Sequence, residues 1–309
     1  MRVVFMGVPD FAVPALERLA DSGHDVVAVY TRLDKPSGRG RATTVSPVKR
    51  AAEGMGLNVR QVENFKDADD VAALAKLEPD VIIIASFGVI LPQSVLDIPP
   101  YNCINLHPSL LPRYRGPTPI PAAILAGDDV TGATIMLIER KVDSGPILAQ
   151  REFPIDPSDT MFSLTEKLAK ASADLLMDML PDWFARTITP RPQRDEDATY
   201  TKTISKSDGE VDWNLSAIDL WRRARAYHPW PSAFTSWNGR GIRILESSPQ
   251  DGRIDMPGRV LDLGGGGVGV QAGDGILKLA RVQVEGKREM SVEEFVRGHR
   301  GFVGSVLPS

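Results

Sequence analysis

One short segment of the sequence places an amide and an imidazole on the same face of a predicted strand. The segment Ile104-Asn105-Leu106-His107 is followed by Pro108, which would end the strand ladder. Side chains alternate along a strand, so Asn105 and His107 project to one side and Leu106 to the other. An amide N–H can hold a carbonyl oxygen, and a protonated imidazole can neutralise charge that develops on it. The pair therefore suits transfer of an acyl group, although an Asn-x-His sequence also fits a hydrogen-bonded turn.

A carboxylate further along the chain is a candidate partner for His107. Asp143 lies in the segment Val142-Asp143-Ser144-Gly145, which predicts a turn. It could hold the imidazole in one orientation, and it could accept the proton that leaves an attacking amine, directly or through water. Sequence spacing does not by itself bring Asp143 to His107, so this pairing is a prediction.

The residues around these positions resemble the motifs of a known family. Residues 105–116, NLHPSLLPRYRG, resemble the N-x-H-x-S-L-L-P-x-x-x-G signature of the folate-dependent formyltransferases, and residues 142–145 resemble that family's second motif. The resemblance implies that Asn105, His107 and Asp143 are catalytic and that 10-formyltetrahydrofolate is the formyl donor. It also implies the residues that bind this donor, namely Ser109, Leu110, Leu111 and Pro112 together with the segment Phe87, Gly88, Val89, Ile90 and Leu91. It implies no metal.

The first half of the chain alternates strand-like and helix-like patterns. Strands are predicted at Arg2–Met6, Asp25–Tyr30, Asp80–Ala85 and Cys103–Leu106, and helices at Ala12–Leu19, Ala72–Leu77 and Thr160–Leu180. This alternation predicts an α/β fold, a doubly wound and mostly parallel Rossmann-like sheet. Ala133–Ile138 and Ile147–Phe153 predict an antiparallel pair at its edge. Ligands bind beyond the carboxyl ends of the strands in such sheets, where His107 is expected.

The second half of the chain predicts a separate, smaller domain. Residues 190–205 are rich in proline and charge and predict a linker, which leaves residues 1–189 as the catalytic domain and 206–309 as a C-terminal domain. In the latter, a predicted helix at Leu215–Tyr227 precedes strand-like runs at Ala233–Trp237, Ile242–Glu246, Arg259–Leu263 and Ile276–Val284. Short strands separated by turn signals predict an open, OB-like β-barrel. Trp230, between two prolines, is expected to pack in its core.

Three features favour tRNA as the acceptor of the acyl group. The opening Phe5–Phe11, FMGVPDF, resembles the start of the tRNA formyltransferases, and residues 225–231, RAYHPWP, resemble part of their C-terminal domain. Residues 32–50 hold six basic residues against one acidic residue and resemble the loop with which these enzymes enter the acceptor stem. Lys35, Arg39 and Arg41 are its predicted tRNA contacts.

The resemblance thus implies initiator methionyl-tRNA as the partner, formylated on its methionyl α-amine, and the C-terminal domain as a tRNA-binding domain. Two alternatives stay open. The acceptor could be an amino sugar nucleotide, or the chain could be a nucleic-acid-binding module without catalysis.

Composition and cysteine content exclude other classes. A net charge of −4 and 42% hydrophobic residues are typical of a globular protein, and the absence of an apolar run of roughly 18 residues argues against a membrane partner. A cytoplasmic location is therefore expected. The expected oligomeric state, a monomer, does not follow from the sequence. The single cysteine, Cys103, excludes an internal disulfide and a multi-cysteine zinc site. Its apolar neighbours predict a small buried core residue.

Overall fold

A computed structural model describes residues 1–37, 42–252 and 256–309. By its internal contacts the chain divides into two compact units. The N-terminal unit consists of Met1–Pro119, Val130–Pro154 and Thr165–Thr201, and the C-terminal unit of Ile120–Asp129, Ile155–Leu164 and Lys202–Ser309. None of the helices in the described ranges is both long enough and apolar enough to cross a membrane.

The N-terminal unit is built on a seven-stranded sheet. In chain order the strands up to residue 154 are β1 (Arg2–Gly7), β2 (Asp25–Arg32), β3 (Lys35–Ser37), β4 (Ala42–Thr44), β5 (Val59–Val62), β6 (Val81–Ala85), β7 (Cys103–His107), β8 (Val130–Leu137) and β9 (Ile147–Pro154). The sheet order is β5-β2-β1-β6-β7-β8-β9, and β3 pairs with β4 apart from it. The first five strands are parallel, whereas β8 and β9 are antiparallel. The predicted mostly parallel sheet with an antiparallel edge pair is confirmed.

Helices lie between or after the strands along the chain. Those up to residue 184 are α1 (Val13–Asp21), α2 (Pro47–Gly54), α3 (Ala68–Ala75), α4 (Gln93–Leu96), α5 (Pro119–Ala126) and α6 (Met161–Phe184). The start of α2 is specified locally, since the Ser46 side chain accepts a hydrogen bond from the Lys49 backbone N–H and Pro47 occupies the first turn. β6 is buried along its whole length, as expected for a strand covered on both faces.

The carboxyl ends of three neighbouring strands meet at one edge of the sheet. Gly7 at the end of β1 lies opposite Ala85 of β6, which in turn lies opposite Leu106 of β7. A Cβ atom on Gly7 would approach the Ala12 Cβ to 2.8 Å. The FMGVPDF segment is therefore a tight strand-to-helix turn, and the ligand-binding edge of the sheet opens beside it.

The C-terminal unit contains an antiparallel sheet of six strands. Its elements are α7 (Ala217–Ala226), β10 (Ala233–Trp237), β11 (Arg240–Gln250), β12 (Val260–Gly264), β13 (Gly267–Gln271), β14 (Ile276–Val284), β15 (Glu289–Ser291) and α8 (Val292–Gly298). The strand order is β10-β11-β14-β13-β12, with β15 on β14. The prediction for this half was a small, open, OB-like β-barrel, and the structure bears out a separate antiparallel sheet domain there. The expectation for Trp230 is wrong, because its side chain is 55% exposed; Trp213 fills the core instead.

The segment predicted as a linker is not detached from the N-terminal unit. Arg191 exchanges two backbone hydrogen bonds with Ile147, of 2.8 and 2.9 Å, and Tyr200 forms a bridge with Arg115. The proline and charge content of residues 190–205 indicated a linker. However, the N-terminal unit extends to Thr201, and the side chains of Gln193 and Asp195 accept hydrogen bonds from Arg115. The domain boundaries at residues 189 and 206 stay a prediction.

Candidate active site

The end of β7 opens into a cavity of about 550 Å³. Its wall includes all three residues predicted to be catalytic, Asn105, His107 and Asp143, and the loop predicted to bind the formyl donor. The lining residues are 84, 86–91, 105–108, 116, 117, 119, 136, 138–140, 142 and 143. Residues far apart in sequence thus meet at one site, which we call the candidate cavity.

The His107 ring is held between two acceptors. The ring is buried, and its Nε2 lies 3.0 Å from the carbonyl oxygen of Tyr114. A carbonyl oxygen only accepts, so Nε2 must carry a proton and donate it. The other ring nitrogen, Nδ1, lies 3.6 Å from Oδ2 of Asp143. The ring thus donates one hydrogen bond from Nε2, and the Asp143 carboxylate faces its Nδ1 at a distance just beyond a hydrogen bond.

Asp143 is fixed by the loop that follows β7. Its Oδ2 accepts a 2.8 Å hydrogen bond from the backbone N–H of Gly116. Its own backbone has φ +49°, in the left-handed region, which few residues other than glycine adopt without cost. The turn is therefore held in an uncommon conformation that turns the carboxylate toward His107.

Asn105 is two residues before His107 and lines the same cavity. It sits between Ile84 of β6 and Met136 of β8 in the sheet register. In the part of the chain that the structure describes, its side-chain amide has no hydrogen-bond partner. The amide can therefore donate to a carbonyl oxygen of a bound molecule.

The loop after β6 forms the opposite wall of the candidate cavity. Phe87 is buried and anchors the loop, whereas Ile90 is 85% exposed. Ser86 and Gly88 have φ values of +48° and +70°, so the chain turns sharply and leaves backbone groups and apolar side chains facing the cavity. Val89 and Leu91 also line it.

Residues Ser109 to Pro112 do not line the candidate cavity. Ser109 is fully buried and its hydroxyl donates to the Arg113 carbonyl at 2.6 Å. Thr134, on β8, donates to the Ser109 carbonyl at 2.6 Å and accepts from the Leu111 N–H at 3.2 Å. The donor contacts assigned to Ser109, Leu110, Leu111 and Pro112 stay a prediction, and these residues brace the loop that returns to His107.

Sequence reasoning missed the residues that anchor this loop. Thr134 is opposite His107 in the sheet and fully buried, and Gln150 on β9 donates to the Leu111 carbonyl at 2.7 Å. The sequence offered one signal for Thr134, which interrupts the apolar run ATIMLI at residues 133–138. A hydroxyl buried in such a run needs hydrogen-bond partners.

The basic segment is only partly visible. Lys35 begins β3, whereas Arg39 and Arg41 lie outside the residues that the structure describes. Lys49, at the end of this segment, donates to Asp34 at 2.6 Å and to Gln61 at 3.0 Å. The hydrogen bond from Lys49 holds the pKa of the Asp34 carboxyl below its usual value. Lys49 therefore serves the fold, and it is not free to contact phosphate.

The single cysteine and the possible metal ligands were the other groups with potential chemistry. Cys103 is buried, as predicted, and desolvation raises the pKa of its thiol to about 12. Within residues 1–37, 42–252 and 256–309, no group of three or more His, Cys, Asp or Glu side chains could hold a metal ion.

Comparison with known proteins gives a family match over nearly the whole chain. Residues 1–180 match the formyl transferase family and residues 203–300 match the formyl transferase C-terminal domain. A methionyl-tRNA formyltransferase of Roseiflexus castenholzii is 46% identical over 303 residues, 97% of this chain and 96% of its own length.

Solved structures share the fold at low sequence identity. An N-formyltransferase from Helicobacter canadensis, in complex with folinic acid and dTDP-3-aminofucose, superposes with a TM-score of 0.67 at 18% identity, covering 91% of this chain and 99% of that one. HypX from Aquifex aeolicus in complex with tetrahydrofolic acid gives a TM-score of 0.64 at 18% identity, covering 99% of this chain and 48% of that one. With both sequence domains matched in order, the chain belongs to the formyltransferase family.

Proposed function

We propose that this chain transfers the formyl group of 10-formyltetrahydrofolate to the α-amino group of methionyl initiator tRNA. The product would be N-formylmethionyl-tRNA, used for translation initiation. The chemistry is supported by one observation above the others. One cavity is lined by an amide, an imidazole and a carboxylate at the end of a parallel strand. The acceptor is supported by the Roseiflexus relative, which is named for it.

The candidate cavity suits a folate donor in size and lining. Its volume of about 550 Å³ lies within the usual range for small-molecule sites. The loop from Phe87 to Leu91 offers apolar surface for a flat ring, and its backbone groups can hydrogen-bond the ring edge. HypX in complex with tetrahydrofolic acid gives a precedent for this ligand on the same fold.

The three polar residues have separate roles in the proposed transfer. Bound 10-formyltetrahydrofolate would supply a formyl carbon open to attack by an amine. Asn105 donates its amide N–H to the formyl oxygen, and cationic His107 balances the negative charge that develops there. Asp143 accepts the proton that the attacking amine loses, directly or through water. As the new C–N bond forms and the bond to the folate nitrogen breaks, that nitrogen takes up one proton, so the transfer is balanced.

We further propose that the basic segment and the C-terminal domain hold the tRNA. Lys35, Arg39 and Arg41 would contact phosphates of the acceptor stem. Replacing Arg39 and Arg41 with alanine should raise the KM for tRNA and leave the KM for the folate donor unchanged. Arg18→Ala is a matched control, because Arg18 is an exposed arginine of α1 paired with Asp174. A cytoplasmic monomer is the state in which we expect the protein to act, and light scattering tests the monomer.

The decisive assay supplies purified protein with the folate donor and methionyl initiator tRNA and measures N-formylmethionine after release from the tRNA. Wild-type protein should form it, and His107→Ala should reduce the rate by about 10²- to 10⁴-fold while remaining folded. A parallel reaction with an amino sugar nucleotide tests the alternative acceptor. If neither acceptor is formylated while tRNA still binds, a binding module without catalysis replaces this proposal.

A further inference from the structure

A glutamine from the predicted linker clamps the turn that carries Asp143. The Gln193 Nε2 donates to the Asp143 carbonyl at 2.9 Å and to the Gly145 carbonyl at 2.8 Å. Both hydrogens of one amide nitrogen are thus used on two carbonyls of a single turn. Gln193 is far from Asp143 in sequence, and its contacts close the turn from outside.

The orientation of the Gln193 amide is settled by its other partner. Its Oε1 accepts a 3.0 Å hydrogen bond from Nε of Arg115. A guanidinium has donors and no acceptor, so the amide oxygen must face Arg115 and the NH₂ group must face the turn. If the amide were rotated by 180°, its NH₂ group would face the Arg115 N–H, and its oxygen would face the carbonyl oxygens of Asp143 and Gly145.

Arg115 is itself immobilised. Its side chain is fully buried, and Nη1 donates to Asp195 at 2.8 Å and to the Tyr200 hydroxyl at 3.2 Å. The hydrogen bond from Arg115, followed by that from Lys141, holds the pKa of Asp195 below its usual value. The Arg115 backbone also bonds to Thr199 and Thr201, at 2.9 and 2.8 Å. Residues 193–201 therefore hold Arg115 on several sides.

The residue after Arg115 completes a closed set of contacts. Gly116 donates its N–H to the Asp143 carboxylate, so Asp143 is held at its side chain by Gly116 and at its backbone by Gln193. Gly116 is joined to Arg115 by a peptide bond, and Gln193 accepts a hydrogen bond from the Arg115 side chain. These contacts help to hold Asp143 in the left-handed conformation, which is less favourable than the common backbone regions.

We propose that Gln193 is a positioning residue for formyl transfer, which fixes Asp143 against His107 through the Gln193–Arg115 contact. The inference rests on the role proposed above for Asp143. It assigns part of the predicted linker to the active site, although Gln193 does not line the cavity and does not touch the reacting atoms.

Two substitutions separate the possible roles of this side chain. Gln193→Met keeps the length and removes every hydrogen bond. Gln193→Glu keeps an acceptor for Arg115 but replaces the two N–H donors with an oxygen that repels the turn carbonyls. Each should lower kcat by about 10- to 100-fold, the effect of losing two ordinary hydrogen bonds, with KM for tRNA and for the folate donor unchanged within about twofold. Wild-type kcat in Gln193→Glu would show that the two N–H donors to the turn carbonyls are not needed for formyl transfer, and it would overturn the proposal.

Gln271→Met is the matched control. The Gln271 Nε2 also donates to two carbonyls of one turn, those of Ala272 and Gly275, at 2.9 and 3.0 Å, but in the C-terminal unit. This variant should lose thermal stability like Gln193→Met and keep wild-type kcat when assayed well below its melting temperature. An equal loss of kcat in both variants would mean that general destabilisation explains the result, and the positioning role would be abandoned.

Hydrogen exchange tests the same inference without any substrate. Because Gly116 donates to Asp143, release of the turn should speed amide exchange in a peptide covering residues 113–118 in Gln193→Met and Gln193→Glu. Gln271→Met should leave this peptide unchanged. Unchanged exchange in the Gln193 variants refutes the clamp, whether or not the wild-type protein formylates tRNA. Conversely, failure of the wild-type formylation assay refutes the proposed function. The exchange experiment still tests whether Gln193 holds the Asp143 turn in place.

Discussion

The charge on Asp143 can be removed with little change of shape by Asp143→Asn. The carboxylate Oδ2 now accepts from the Gly116 N–H at 2.8 Å and lies 3.6 Å from Nδ1 of His107. An asparagine oxygen can still accept from Gly116, and the backbone carbonyl that Gln193 holds is untouched. The substitution therefore isolates the interaction between the carboxylate and the His107 ring, together with the capacity of Asp143 to accept a proton.

The magnitude follows from the separation of the two groups and their burial. In the proposed mechanism His107 carries a positive charge during the transfer, and at 3.6 Å with an effective dielectric constant of about 20 unit charges attract by about 4.6 kcal/mol. The side chains are only 5% and 15% exposed, so screening by salt is weak. Solvent and neighbouring dipoles recover part of this energy, which makes about 10³-fold in rate an upper bound. We expect kcat to fall by about 10²- to 10³-fold.

The assay is steady-state formylation at saturating folate donor and tRNA, with Asp178→Asn as the control. Asp178 pairs with Arg151 at 2.9 Å, a shorter distance, but the two side chains are 66% and 43% exposed. Surface pairs of this kind contribute about 0–1 kcal/mol to stability, so the control should keep wild-type kcat. A fall smaller than fivefold in Asp143→Asn would falsify the role assigned to the carboxylate, because neither charge pairing nor proton transfer would then limit the reaction.

Three further outcomes test other parts of the structure. Asn105→Ala should lower kcat by about 10²- to 10³-fold, the usual cost of removing one oxyanion donor, while steady-state kinetics give an almost unchanged KM for the folate. Thr134→Val should lower the free energy of unfolding, measured with urea, by about 2 kcal/mol, because the buried Ser109 carbonyl and Leu111 N–H lose their partner; an unchanged value would contradict this anchoring. Cys103, whose thiol pKa is raised to about 12 by burial, should resist iodoacetamide at pH 8 in native protein and react once unfolded, as followed by mass spectrometry.

The sheet was predictable where burial dictates sequence. The run VIIIA of β6 is apolar throughout because both of its faces are covered. By contrast, β5 consists of VRQV, which carries no strand pattern, and β13 of GVGVQ, in which two valines alternate with glycines that are more typical of turns. β13 lies between two partners and takes its structure from backbone hydrogen bonds with β12 and β14. Such pairing is a property of the assembled sheet, which a local reading of glycine-rich sequence misses.

The candidate site was predictable to the extent that it depends on one strand. Alternation of side chains placed Asn105 and His107 on one face, and both line the cavity. Asp143 was a candidate from its turn segment, and the family resemblance supported it. Spacing alone could not bring it to His107, because its geometry depends on contacts with Gly116 and Gln193 that span tens of residues. Hydrogen bonds between distant polar side chains leave no periodic trace in a sequence.

These contacts explain why residues 108–116, the loop part of the family signature, fold as they do. After β7 the chain turns away from the sheet, is held at Ser109 and Leu111 by Thr134, and then returns. The returning chain presents the Tyr114 carbonyl to His107 and the Gly116 N–H to Asp143. Both members of the His–Asp pair are thus oriented by backbone groups of one loop. If this loop were displaced, His107 and Asp143 would both lose the backbone groups that orient them. Residues 109–112 can therefore be required for the chemistry without contacting a substrate.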